Sequence, residues 1–178
     1  KFILPVQRVN RPNLDFRGYS GTIASGTIKI GEEIRTVPSN QKAKVKEIFI
    51  GDKSIKSSSN RQSITLTLNK EIDISRGDII CKKDSIVESA DQFNINMIWM
   101  SEEKCFPGRS YIAKIHNNSS SIKILEIKKI YNVNTLGHSP GKQLDLNDVA
   151  EVTVSLNKNV PFMSYQENKN MGSMIIID

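Results

Sequence analysis

The sequence contains few of the residues that mark catalytic or metal-binding sites. Its 178 residues include only two cysteines and two histidines. Cys81 and Cys105 are far apart and form no CxxC pattern, which excludes a disulfide framework or a zinc site and predicts two ordinary thiols. His116 and His138 have no cluster of cysteines or carboxylates beside them. We therefore expect both to be surface histidines and expect no metal site.

Two longer patterns are also absent. No apolar run approaches the roughly 20 residues that span a bilayer, and there is no signal peptide, so we expect a cytoplasmic chain without a membrane partner. Nothing matches GxxxxGK[ST], and Gly18, Gly21 and Gly26 do not have GxGxxG spacing. The chain thus shows no catalytic residues and no cradle for GTP or ATP. Without catalytic residues in the sequence, an interaction role is the first interpretation. Whether the chain is part of an enzyme stays open.

The charge is moderately basic. The sequence has 25 basic and 19 acidic residues, a formal charge of +6 and a pI of about 9.3. This bias permits binding to nucleic acid or to an acidic partner, but the lysines are scattered and not grouped into blocks. A solvated surface is the favoured explanation, and we do not expect a nucleic-acid partner.

The dominant period of the apolar residues is two, which indicates an all-β fold. Strands are predicted over residues 2–9, 21–30, 33–37 and 43–50, with a bulge where alternation slips between Val45 and Ile48. Many short strands with regular turns and no amphipathic helix favour two consecutive small β-barrels. The predicted limits are 1–87 and 88–178.

Further local patterns complete this prediction. Residues 51–62 are polar and predict an exposed loop, whereas Trp99 is expected in the core. Arg76-Gly77-Asp78 is interpreted as a glycine turn. The last strand, over residues 173–177, is expected to be buried on both faces.

The least ordinary segment is the connection at residues 9–28. It places Arg11, Phe16, Arg17 and Tyr19 on what should be an exposed loop, among three glycines and a proline. Loops that keep arginines and aromatics are candidates for an interface. A barrel corner that packs its own aromatics is the alternative, and the residues alone leave it open.

An ordered series of motifs along the whole chain resembles one family. The matching stretches are RPNLDFRGYSGTIASG (11–26), SITLTL (63–68), EIDISRGD (71–78), MIWMSEE (97–103), PGRSY (107–111), VNTL (133–136), YQEN (165–168) and GSMIIID (172–178). They are similar to the large subunit of sulfate adenylyltransferase, a translation-factor-type GTPase. Its domains after the GTPase domain resemble those of elongation factor Tu.

The resemblance implies a two-subunit enzyme that makes adenosine 5′-phosphosulfate and pyrophosphate from ATP and sulfate. GTP hydrolysis drives the reaction, and a separate small subunit carries the adenylylation site. GTP and Mg²⁺ would belong to a GTPase domain ahead of Lys1, since the chain has no initiator methionine and suggests a fragment. The two barrels would be elongation-factor-type domains that dock the upstream GTPase domain and the small subunit.

Six residues are candidates for these interfaces on the strength of the resemblance. The set is Arg11, Asn13, Arg17 and Tyr19 in the first barrel, and Arg109 and Asn134 in the second. A fragment of a translation elongation factor that binds tRNA through the same two barrels is the alternative. The sequence leaves open whether the parent also carries an adenosine phosphosulfate kinase.

Overall fold

A computed structural model describes residues 1–132, 135 and 137–177. Within these ranges all regular structure is β-strand, which confirms the all-β prediction, and no helix there could cross a membrane. The strands are β1 (Ile3–Pro5), β2 (Arg8–Asn10), β3 (Gly18–Thr22), β4 (Thr27–Lys29), β5 (Glu33–Val37), β6 (Lys42–Ile50), β7 (Lys53–Ile55), β8 (Ser57–Ser59), β9 (Ser63–Leu68), β10 (Ile79–Lys82), β11 (Glu88–Ile98), β12 (Ser110–Ile115), β13 (Asn118–Tyr131), β14 (His138–Ser139), β15 (Val149–Phe162) and β16 (Ile175–Ile177).

The first ten strands form one large sheet and one small one. The large sheet has the order β1-β10-β5-β6-β9-β3-β2, with β7 paired to β6, and β4 pairs with β8. Strand β6 alternates between exposed and buried residues until its pairing with β9 shifts between Val45 and Glu47. The predicted bulge is confirmed, and it lets one long strand bend while keeping its apolar side chains inside.

The core of this sheet consists of branched aliphatic side chains with one tyrosine and one phenylalanine. Fully burying one such aliphatic side chain contributes about 1.5–3 kcal/mol, so a cluster of this size is the main stabilising term. Its buried members are Phe2, Leu4, Val6, Tyr19, Ile23, Ile28, Ile34, Ala43, Val45, Ile48, Ile64, Leu66, Ile72, Ile74 and Ile80.

The remaining strands form a second antiparallel sheet. Its order is β11-β15-β13-β12-β16, with β14 paired to β13. Strand β12 buries every second residue, Tyr111, Ala113 and Ile115, as expected for a sheet with one solvated face. The long pair β13–β15 has two register shifts, between Ile124 and Glu126 and between Ile127 and Lys129.

The chain divides into two compact units. Unit 1 contains Lys1–Ser89, Ile115–Asn118 and Val160–Met174, and unit 2 contains Ala90–Lys114, Ser119–Asn159 and Ile175–Asp178. Within unit 1 a second buried cluster includes a methionine from the late segment. This division differs from the predicted limits 1–87 and 88–178, which stay a prediction. The second cluster comprises Ile3, Val37, Ile79, Cys81, Val87 and Met171, with Ala24 and Met163 packed against it.

Two strand predictions are wrong in detail. Residues 51–62 are not a plain loop, because β7 extends the edge of β6 and β8 pairs with β4. The last strand is not buried on both faces. It lies at the end of its sheet beside β12, and Ile175 and Ile177 are exposed. An edge strand buries less than a central one, which the run of isoleucines could not reveal.

His116 is not the surface histidine that was predicted. It is half-buried within unit 1 with a φ of 51°, and its Nε2 is shielded without a hydrogen-bond partner among the described residues. Burial holds the pKa of His116 below its ordinary value of 6.5, although the backbone carbonyls of Met171 and Asn170 act in the opposite direction.

This shift predicts a pH dependence of stability. Because the folded-state pKa lies below the unfolded one, the stabilisation is complete above about pH 6.5 and is lost as the pH falls towards the folded value. We expect His116→Asn, which keeps a residue that tolerates positive φ, to flatten the fall in melting temperature between about pH 6.5 and pH 5. Parallel curves for the two proteins would contradict the assignment.

Candidate docking sites

The segment between β2 and β3 is a compact loop held by one asparagine. Asn13 Oδ1 accepts hydrogen bonds from the backbone N–H groups of Asp15 at 3.1 Å and Phe16 at 2.9 Å. This turn leaves Leu14 at the surface with 84% of its area exposed. The sequence-predicted candidate Asn13 therefore shapes the loop backbone that presents an apolar side chain to solvent.

Phe16 closes the same loop against the sheet. Its ring meets Phe49 edge-on, with centroids 6.0 Å apart. At Gly18 an added Cβ would lie 2.7 Å from Phe16 Cε1 and 2.6 Å from Thr65 Cγ2. Only glycine leaves room for the phenyl ring there. Phe16 therefore matches the alternative interpretation of this segment, a barrel corner that packs its own aromatic side chains.

Tyr19 is not exposed, and the expectation that it stands on a solvent-facing loop is wrong. Its side chain is 1% exposed within the core, and its hydroxyl donates to the carbonyl oxygen of Ile72 at 3.0 Å. Burial is the main cause of its raised pKa. Because Tyr19 lies on β3, where alternate residues face the core, the strand and not the loop decides its position.

Arg17 lies over Tyr19 and faces two carboxylates. Its guanidinium carbon is 5.9 Å from the Tyr19 ring centroid, Nη1 is 3.9 Å from Glu71 Oε2, and Nη2 is 3.9 Å from Asp73 Oδ1. Arg11 Nη2 is 3.7 Å from Glu71 Oε1. We call Arg11, Arg17, Glu71 and Asp73 the arginine–carboxylate cluster.

The ion pairs of this cluster are loose. All three exceed hydrogen-bond length, and both carboxylates are well exposed, so each pair contributes at most about 1 kcal/mol. Arg17 itself is only 23% exposed, since its guanidinium carbon lies over the Tyr19 ring and its Nε is shielded from solvent. A held guanidinium without tight partners is suited to pairing with an incoming carboxylate or phosphate.

In unit 2 the candidate Arg109 covers an aromatic pair. Its guanidinium carbon is 5.4 Å from the Tyr111 ring centroid, and Tyr111 meets Trp99 edge-on at 5.4 Å. Trp99 is buried, as predicted, and its Nε1–H donates to the carbonyl of Glu103 at 2.7 Å. Burial first, and the neighbouring Cys105 thiol second, raise the pKa of Tyr111 to about 12. Tyr111 is therefore neutral at physiological pH.

Exposed apolar side chains lie on the segments around this aromatic pair. Backbone hydrogen bonds join Trp99 to Asn147 and Asp148, and Cys105 to Leu144, so these three segments run side by side. Sequence reasoning missed this grouping, because it depends on pairing between distant segments. We name the following set the apolar rim: Ile98, Met100, Phe106 and Leu146, of which Met100 is 80% exposed.

Asn134 lies outside the described residues. In the ranges that the structure describes, no three His, Cys, Asp or Glu residues are grouped to hold a metal ion, and the sequence offers no phosphate-binding loop. The location of GTP and Mg²⁺ stays a prediction.

Comparisons with known proteins show which proteins this chain is similar to. Residues 92–178 match the family described as GTP-eEF1A C-terminal domain-like. Sulfate adenylyltransferase subunit 1 of Aliarcobacter butzleri is 45% identical over 99% of this chain, and that of Saccharophagus degradans is 42% identical over 99%. The chain spans 38% of the length of each relative.

The fold has a close counterpart among solved structures. Sup35 complexed with GMPPNP has a TM-score of 0.87 at 18% identity, over 99% of this chain and 44% of that protein. Identity this low shows the fold alone, and it confirms the prediction of elongation-factor-type barrels. The chain is thus similar to sulfate adenylyltransferase subunit 1 along nearly its full length, and residues 92–178 match the GTP-eEF1A C-terminal domain-like family.

Proposed function

We propose that this chain is the two-barrel part of a sulfate adenylyltransferase GTPase subunit and that it serves to dock the other parts of the enzyme. The observation that carries the proposal is 45% identity to a subunit 1 over 99% of the chain. The parent enzyme would form adenosine 5′-phosphosulfate and pyrophosphate from ATP and sulfate, driven by GTP hydrolysis.

Catalysis would take place outside these residues. A GTPase domain of the same parent would hold GTP and Mg²⁺, and a small subunit would hold ATP and sulfate. The relatives carry the name subunit 1, which implies an enzyme of more than one subunit. Their length leaves ample room for a further domain, since the chain spans only 38% of it. The nucleotide bound to the GTPase domain would then set the position of that domain against the barrels. This rigid-body movement would in turn affect the active site of the small subunit.

Two features suit such docking. The arginine–carboxylate cluster holds the Arg17 guanidinium over Tyr19 at the end of the loop that exposes Leu14, and the apolar rim lies on segments that pair next to Trp99 and Cys105. Arginine and aromatic residues are enriched at the centre of interfaces, where they contribute most of the binding energy. A partner that covers them would remove from water apolar side chains that the isolated barrels leave exposed.

The alternative, a translation factor fragment that binds tRNA, is weaker. The likeness to Sup35 is 18% in sequence, whereas the subunit 1 relatives reach 45%. The basic charge of +6 is the observation that favours it. Binding through charge alone would fall steeply as salt rises.

A binding experiment separates the two functions. The chain, immobilised, is offered the sulfate adenylyltransferase small subunit in the presence of excess bulk tRNA at about 150 mM salt. We expect the small subunit to be retained and tRNA to be washed away. Retention of tRNA instead of the small subunit would favour translation. If neither binds, the docking role would fall for this chain and pass to the rest of the parent.

A further inference from the structure

The net charge of the chain is not spread evenly over its two units. Unit 1 contains 17 basic and 11 acidic residues, a net charge of +6, whereas unit 2 contains eight of each and is balanced. The whole formal charge therefore lies on one unit. Residues 1–89 alone have this net charge, with 16 basic and 10 acidic residues, so the imbalance can be read from the sequence once the unit boundary is known.

A groove on unit 1 concentrates part of this charge. It has a volume of about 250 Å³ and lies where β5, β6 and the segments after β9 and β10 come together. Its floor includes Ile34 and Ala43, which face each other across the β5–β6 pair. Four lysines and a single carboxylate, that of Glu33, line it. The lysines are Lys42, Lys44, Lys70 and Lys83.

The backbone fixes where these lysines stand. Lys42 and Lys44 alternate with buried residues on β6 and so emerge on the same face. Asn69 Oδ1 accepts the Lys44 N–H at 2.8 Å, and the Asn69 N–H donates to the Lys44 carbonyl at 2.9 Å. This double hydrogen bond holds the adjoining Lys70 beside β6.

None of the four lysines forms an ion pair with any residue that the structure describes. The neighbouring Lys82 differs, since its Nζ is 2.9 Å from Glu32 Oε1. Keeping four ammonium groups around one concavity with one carboxylate costs electrostatic free energy, which a bound anion would offset.

The chemistry of the lining points to the kind of anion. An ammonium group is a compact point charge with rotatable donors and can bind phosphate from any side, whereas the planar guanidinium of arginine selects carboxylate or phosphate groups that it can meet in two parallel hydrogen bonds. The groove has only lysines. Its volume is below the range of about 300–1,000 Å³ typical of pockets for drug-sized ligands. A small tetrahedral oxyanion fits both facts better than an acidic peptide.

We propose that the groove lined by Lys42, Lys44, Lys70 and Lys83 binds a compact, multiply charged anion built from phosphate or sulfate groups. Free inorganic anions and the phosphate end of a nucleotide share this chemistry. The assignment does not depend on the docking function, because the groove contains none of the candidate interface residues.

Calorimetric titration of the chain at constant ionic strength tests the proposal, with inorganic pyrophosphate, sulfate and ATP as separate probes. The groove variant Lys42→Gln/Lys44→Gln is compared with Lys53→Gln/Lys56→Gln, which removes two exposed lysines elsewhere on unit 1. We expect pyrophosphate affinity to fall about tenfold in the first and by about twofold or less in the second. Glu33→Gln should tighten binding.

The probes also identify the source of the anion. Pyrophosphate binding more tightly than ATP would indicate a free anion, and the reverse would indicate a nucleotide end. Equal losses of pyrophosphate affinity in the two double variants would overturn the proposal. The anion would then be attracted by the overall positive charge of unit 1 and not by the groove. An acidic peptide that bound as tightly as pyrophosphate, with the same dependence on Lys42 and Lys44, would make the groove a protein-docking surface and would also overturn it.

Discussion

Gly77→Ala is expected to lower the free energy of unfolding by about 2–4 kcal/mol. Two causes add up at this position. The φ of Gly77 is 96°, where a side chain strains the backbone, and an added Cβ would lie 2.6 Å from Asn118 Cγ. The Asn118 side chain cannot simply move away, because its Nδ2 donates to the Gly77 carbonyl at 2.7 Å.

A second glycine separates the two causes. Gly31 has a φ of 84° but open space around the position of its Cβ. We expect Gly31→Ala to cost only the backbone strain, about 1–2 kcal/mol. Urea denaturation of both variants measures the difference. If Gly77→Ala costs no more than Gly31→Ala, the close approach of Asn118 does not contribute.

A double-mutant cycle isolates the steric part. Asn118→Ala alone should cost about 1 kcal/mol for the lost hydrogen bond. Combined with Gly77→Ala it should remove the crowding, so that the double variant is more stable than the sum of the single effects predicts, by about 1–2 kcal/mol. This result would show that the turn Arg76-Gly77-Asp78 is glycine-dependent because the Ile115–Asn118 segment of unit 1 lies on it.

The sequence predicted the strand-rich fold because its signals are local. Alternation along β6, including the slip near Val45, is visible in ten consecutive letters, and the structure places a bulge there. The prediction of two barrels came from the family resemblance, because the pattern of a single strand does not distinguish a barrel from a sandwich. The prediction that the final strand is buried on both faces was wrong. The position of a strand within its sheet depends on the topology of the whole sheet and not on the residues of that strand.

The candidate sites could be predicted only in part for the same reason. Arg17 stands out in the sequence, but its partners Glu71 and Asp73 come from a segment more than 50 residues away. Their spacing of two, with the buried Ile72 between them, was the available signal. Tyr19 was misplaced because the start of β3 at Gly18 is not marked by a change in hydrophobicity. The lysine groove needs the β5–β6 register, which no local pattern gives.

The corrected position of Tyr19 changes how the docking proposal must be tested. Tyr19→Ala would open a cavity in the core and lower stability by about 3–5 kcal/mol, so a loss of binding would be uninformative. Arg17→Ala removes the guanidinium that lies over Tyr19 and leaves the ring in place. Arg8→Ala, which removes an exposed arginine from the adjacent strand β2, is the matched control.

In the proposed two-subunit enzyme, Arg17→Ala is expected to weaken the affinity for the small subunit, or the dependence of that affinity on GTP, about 30-fold, the effect of truncating a hot-spot residue worth about 2 kcal/mol. Arg8→Ala should change either quantity by about twofold at most. Tyr19→Phe keeps the ring beneath Arg17 but loses the hydrogen bond to Ile72, so it should lower stability and change binding and its GTP dependence by about twofold at most. Surface plasmon resonance gives the affinity, and the rate of pyrophosphate release with and without GTP gives the coupling. Unchanged affinity and coupling in Arg17→Ala would refute the role of the arginine–carboxylate cluster, because no other described arginine lies over Tyr19 to replace it.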